Sequence, residues 1–168
     1  MPIESVMTVI LLKRVEKLVW DAGIENINAF VGGLSRSQLA VYHSAADVCV
    51  IPSHYNPSGM TAMDAMASGT TVIATNLGGL KYVVEHKQNG LLFPDRNSFL
   101  LTKAISHLLT EPELRSQMGL AARERVSELF TWNHVASQLN ELYLEQIRQQ
   151  NLDSLTKSWR YSMPAIGA

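Results

Sequence analysis

An α/β fold with a parallel sheet of about four strands, flanked by helices and continued by a helical C-terminal part, is the architecture this sequence predicts. Three features predict it. Short apolar runs alternate with helical patterns, as right-handed strand–helix–strand crossovers require. The runs Asp47–Ile51, Thr71–Ala74 and Leu91–Phe93 are apolar almost throughout rather than every second residue, the pattern of strands covered on both faces. Composition allows a real core: 168 residues, 46% hydrophobic and 17% charged, with a mean hydropathy of +0.02.

In chain order, Val6, Ile10, Leu11, Val15, Leu18 and Val19 recur at helical spacing, so residues 3–22 read as a helix stopped by Gly23; a strand over 6–12 is the alternative. Asn28–Val31 reads as a strand closed by Gly32 and Gly33. Ser35 is placed to cap a helix through Ala46, with Leu39, Tyr42 and His43 on one face. Asp47–Ile51 is the second strand, stopped by Pro52. After the loop 53–58, a helix runs from Gly59 to Ala67 and ends at Gly69. The strand at 71–74 follows, then a helix from Gly78–Gly79 to His86, a Gln88–Gly90 turn and the last strand, 91–93. Beyond Asn97 three helices are expected, 97–109, 111–130 and 131–149, with Asn97 and Thr131 as caps. Residues 1–150 form one domain in this reading, and 151–168 a C-terminal tail.

Charge and composition exclude several functions. Lys and Arg number 14 against 15 acids, so no general basic excess exists to grip a nucleic acid or an anionic membrane surface. A single cysteine rules out a disulfide framework or a multi-thiolate zinc site and suits a reducing, cytoplasmic setting. The longest apolar run near the start, Val6–Leu12, is far shorter than the ~18 residues of a membrane-spanning helix, so no membrane span is expected. Neither a G-x-x-x-x-G-K-[ST] loop, a G-x-G-x-x-G turn nor a G-x-S-x-G elbow occurs. The five histidines show no metal spacing, and no metal ligand set is predicted. Arg115, Arg123, Arg125 and Lys103 read as solvated helix faces, Met60, Met63 and Met66 as core, and Cys49 as a small buried residue.

Ligands in open parallel sheets bind beyond the carboxyl ends of the strands. The loop Pro52–Gly59 is the richest there, and it enters a helix whose first amides, at Gly59, Met60 and Thr61, are placed to receive an anion. Thr61 and Asp64 fall on one face of that helix. Spacing alone leaves a second reading open, in which Asn56–Pro57 only turns the chain and Ser58–Gly59 only caps the helix.

The segments Phe30-Val31-Gly32, Ala45-Ala46-Asp47-Val48-Cys49-Val50-Ile51-Pro52-Ser53, Asp64-Ala65-Met66-Ala67-Ser68-Gly69-Thr70, Gly78-Gly79-Leu80 and Asn89-Gly90-Leu91-Leu92-Phe93-Pro94 resemble, in order, the C-terminal half of retaining glycosyltransferases of the GT-B fold. The likeness is to the group holding glycogen synthases, sucrose-phosphate synthases and group 1 enzymes, and it covers about two thirds of the chain, residues 30–143. It implies a Rossmann-like donor domain for a nucleoside-diphosphate sugar, UDP- or ADP-glucose, used as co-substrate without a cofactor or metal. By carry-over, Asn56 stands at the donor-sugar position; Gly59, Met60 and Thr61 meet the diphosphate; Asp64 holds the ribose; and Gly32, Gly33 and Leu34 border the base. The family pattern has Glu at positions 56 and 64 and Phe at 58, where this chain has Asn56, Asp64 and Ser58. Replacing a charge-assisted contact by a neutral one weakens it by about 1.5–3 kcal/mol. The resemblance also leads one to expect an earlier strand carrying a basic pair, and a separate acceptor-binding N-terminal domain, neither of which is identified in the sequence. Little transferase activity is therefore expected of the chain by itself. A non-catalytic nucleotide-sugar binder or interaction subunit is the rival reading.

Overall fold

A computed structural model describes residues 13–162, with side chains through residue 153. The expected helix or strand over 3–12 lies outside the described residues. Two compact units divide the chain, one up to Arg36 and one from Ser37 onward.

In the first unit, helix α1 occupies residues 13–21 and carries an ion pair between Lys17 and Asp21 at 2.7 Å, one turn apart. Gly23, with φ +66°, ends it, and a 3₁₀ turn follows at Glu25–Ile27. Residues 28–31, expected to be a strand, pair with no other strand among the described residues. Asn28 instead donates its Nδ2–H to the Ile24 carbonyl at 2.8 Å. An extended segment becomes a strand only when a neighbour matches its backbone groups.

The second unit is built on three parallel strands in sequence order: β1 (Val48–Ile51), β2 (Thr71–Thr75) and β3 (Gly90–Phe93). The register sets Val48 beside Thr71 and Val72 beside Gly90. Helix α2 (Arg36–Ala45) precedes β1, and α3 (Met60–Ala67) and α4 (Leu80–Val83) lie in the two crossovers. Helices α5 (Ser98–Thr110), α6 (Pro112–Leu129) and α7 (Trp132–Ser162) complete the chain. Helix α7 runs on through most of the segment read as a tail. Helix α4 is one turn rather than the expected two, because Val84 turns extended and His86 bridges to Gly90.

Strand pleating divides the core. Val72 and Ala74 face α3, α4 and α6, packing with Ala62, Ala65, Met66 and Leu80. Ile73 faces the other way, toward Leu91, Phe93, Leu108 and Met118. Strand β2 is buried at all five positions, as a strand covered on both faces should be. Strand β1 departs from that expectation: only Ile51 is buried and Cys49 is half-buried, because β2 is its sole partner among the described residues. Burial pushes the Cys49 thiol pKa up.

Two arginines read as solvated are tertiary ties. The Arg125 side chain, 20% exposed, pairs with Glu85 at 2.6 Å and donates to the carbonyls of Val83 and Tyr82 at 3.0 Å each. Arg115 donates to the Leu108 carbonyl at 2.9 Å and pairs with Asp47 at 2.8 Å. Each uses its guanidinium fork to satisfy carbonyls left over at the end of another helix.

Candidate functional site

The candidate site lies in the second unit, beyond the carboxyl end of β1. There the chain turns at Pro52, passes through residues 53–59 and enters α3. The bend is made by Gly59, whose φ of +70° lies in the left-handed region. A Cβ there would stand 2.8 Å from Val83 Cγ2, so the position excludes a side chain twice over. The loop is pressed against the turn before α4. The Gly79 amide donates to the Asn56 carbonyl at 2.8 Å. A Cβ on Gly79 would meet the Pro57 oxygen at 2.6 Å and the Gly59 nitrogen at 2.8 Å. Gly78–Gly79, expected simply to open a helix, thus also let two loops touch backbone to backbone.

Asn56 has a local task of its own. Its Oδ1 accepts the Gly59 N–H at 2.8 Å, closing the turn as a side-chain mimic of a backbone carbonyl. The Gly59 amide, expected to be free for an anion, is therefore occupied. The Met60 amide reaches Ser58 Oγ at only 3.5 Å, the long limit of a hydrogen bond. The first bond of the helix runs from the Met63 amide to the Gly59 carbonyl at 3.1 Å, so the Thr61 and Ala62 amides precede the intrahelical ladder.

Helix α3 is sharply two-sided. Ala62, Ala65 and Met66 are fully buried, while Met60, Thr61 and Asp64 are exposed. Ala65 belongs to the core; Met60, read with Met63 and Met66 as core, stands outside it and is 61% exposed. Thr61 and Asp64 share an open face at the start of the helix. Gly32, Gly33 and Leu34 belong to the first unit, where Gly32 takes φ +66°.

Sequence reasoning assigned no role to Asp95, which follows β3. His54 and Asp95, 41 residues apart, meet at 2.6 Å. This hydrogen bond is the main reason the Asp95 carboxyl is held below its usual pKa, with the nearby Arg96 adding a smaller push. The pair borders a cavity of about 370 Å³ walled by Pro52, Thr75, Phe93 and Leu101. Among the described residues, no group of three His, Cys, Asp or Glu side chains is placed to hold a metal ion, and no helix is long and apolar enough to cross a membrane.

Parallel strands with helices in the crossovers define an α/β domain with a parallel sheet flanked by helices, the fold of one half of a GT-B architecture. The chain belongs to the glycosyl transferases group 1 family, whose model matches residues 11–125. It is similar to a D-inositol 3-phosphate glycosyltransferase of Corynebacterium glutamicum, 35% identical over 81% of this chain and 32% of that protein. It is likewise similar in structure to a sucrose-phosphate synthase from Thermosynechococcus elongatus, with a TM-score of 0.75 and 41% identity over 82% of this chain and 34% of that one. A C-terminal domain of a group 1 family protein (LpcC) from Francisella tularensis also matches, with a TM-score of 0.66 and 25% identity over 73% of this chain and 63% of that one. The chain spans about a third of the length of the curated relatives it matches.

Proposed function

We propose that residues 52–68 form the donor site of a retaining glycosyltransferase that uses a nucleoside-diphosphate hexose, UDP- or ADP-glucose, in the cytoplasm. The observation that carries this reading is the open face at the start of α3, where Thr61 and Asp64 stand exposed beside amides that precede the helical ladder. Such a helix start favours a diphosphate through its unpaired donors and its dipole. In the reaction, charge accumulates on the leaving diphosphate, and fixed N–H groups stabilise it without reorganising. The amides of Met60 and Thr61 fill this role; Gly59 contributes the bend that aims them. The Asp64 carboxylate accepts from the ribose diol. Because Asn56 Oδ1 is bound to the Gly59 amide, its Nδ2 is the atom left to meet a hydroxyl of the donor sugar. This donor site is built from the second unit alone; Gly32, Gly33 and Leu34 belong to the first. The acceptor belongs to a separate domain, so the chain by itself transfers sugar slowly or not at all.

The test is calorimetric titration of the chain with UDP, UDP-glucose and ADP-glucose, beside Asp64→Ala. Binding that falls at least about tenfold in the variant, the scale of a lost charge-assisted bond, is expected. No binding at millimolar nucleotide would remove the donor site and leave only the fold. One observation favours a second reading, a nucleotide-sugar binder without catalysis: Asn56 is neutral and already engaged at Oδ1. Turnover on adding the acceptor half of a related enzyme decides against it.

A further inference from the structure

The stretch from Pro52 to Asn56 leaves β1 and has to hold its place before the Gly59 turn. Its later part is fixed twice: the Asn56 carbonyl accepts from the Gly79 amide, and the Asn56 side chain accepts from the Gly59 amide. For residues 53–55, the described hydrogen bonds supply one tie, from His54 to Asp95 across to the turn between β3 and α5. The first residues of the loop therefore depend on a side-chain contact made 41 residues away in sequence. An ionised carboxylate can only accept, so the imidazole donates from Nδ1 to Asp95 Oδ1.

We propose that His54 is a positioning residue for the loop 52–59: through its Nδ1–H it fastens the start of the loop to Asp95 and so fixes where Asn56 and the Gly59 turn stand. As a statement about donor binding this rests on the function proposed above; as a statement about the loop it does not. Asp95 is itself steadied from the far side by Arg96, whose Nε lies 3.6 Å from Oδ2. Arg96 takes φ +57°, a left-handed conformation that a non-glycine residue adopts at some cost. The β3–α5 turn that receives His54 is anchored in turn by Asn97, whose Oδ1 caps α5 at the Leu100 amide, 2.9 Å away. The loop is thus tied to a capped helix end.

The experiment is amide hydrogen exchange by NMR on the full chain, read at the Gly59 and Gly79 amides, which donate to Asn56 Oδ1 and to the Asn56 carbonyl, together with UDP titration. His54→Ala and Asp95→Ala are each expected to speed exchange at these amides about two- to fivefold, the range of a solvent-exposed pair; the double variant adds little to either. Asparagine places its amide nitrogen near the position of Nδ1, and glutamine places its own near Nε2. His54→Asn should therefore restore protection and His54→Gln should not, a distinction that simple filling of space would not make. Unchanged exchange in His54→Ala, or equal rescue by asparagine and glutamine, overturns the proposal. If the native chain shows no UDP affinity, the donor reading fails, and the exchange rates still decide whether His54 holds the loop. If UDP binds, its affinity should fall in His54→Ala and recover in His54→Asn; affinity unmoved by both would confine His54 to the loop and refute its part in donor binding.

Discussion

At the scale of single residues, Asn56 and Gly59 make the candidate site and constrain each other. The side chain of one accepts the amide of the other at 2.8 Å, and the turn exists only because Gly59 enters the left-handed region. Gly59→Ala is expected to destabilise the fold by about 2 kcal/mol or more, from the left-handed backbone and the collision with Val83 combined. A urea melt of both proteins measures it, and a loss under about 0.5 kcal/mol would show that the bend is not tightly held. Asp95 gives a pH-dependent prediction. Its folded pKa is depressed below the usual 3.8, chiefly by the His54 hydrogen bond, so its stabilising contribution is full above that value. It is lost as pH falls toward the lower folded value. The gap in melting temperature between the native chain and Asp95→Ala should therefore be present at neutral pH and close in acid. The effect will be small, because both partners are solvent-exposed.

At the scale of elements, α4 shows how a single turn of helix is kept. One turn is too short to hold itself, since nucleation costs more than its few bonds return. Arg125 of α6 supplies what is missing, binding the Val83 and Tyr82 carbonyls and pairing with Glu85 just beyond. Arg125→Met keeps much of the side-chain volume and removes every one of these bonds. About 2 kcal/mol of stability should be lost, given 1.5–3 kcal/mol for bonds to a charged group. Exchange of the Val83 and Val84 amides should rise with it. Calorimetric melting with no change in either would mean that packing of Leu80 and Val83 alone holds the turn. The sequence showed Arg125 as one basic residue among acids on a helix; nothing local marks a side chain that reaches 42 residues back.

Over the whole of the second unit, two helical layers enclose a three-stranded sheet, and α6 sits tightly enough to require a glycine in its middle. A Cβ at Gly119 would collide with the Gly69 carbonyl oxygen and lie 3.4 Å from Thr71 Oγ1. In an isolated helix Gly→Ala would stabilise by about 1 kcal/mol. Here Gly119→Ala should do the reverse and cost about 1–3 kcal/mol, because α6 has to move off the sheet. A raised melting temperature in that variant would refute the close approach.

How much of this was legible beforehand follows the range of the interactions. Local pattern was enough for the three strands of the second unit, for the presence of the helices between and after them though not for the length of α4 or the end of α7, and for the loop at residues 52–59, because apolar runs, caps and breakers act within a few residues. Motif resemblance was enough for the family. The sequence could not tell that 28–31 would find no pairing strand, that β1 would be only half covered, or that Arg115 and Arg125 would turn inward. Nor could it show that the Gly59 amide is already taken by Asn56, or that His54 would meet Asp95. The chain therefore determined its own elements and the chemistry each loop carries. Which polar groups are occupied and which stand open was decided only by tertiary structure, since a hydrogen bond or a collision forms at about 3 Å in space between residues that sequence alone leaves unrelated.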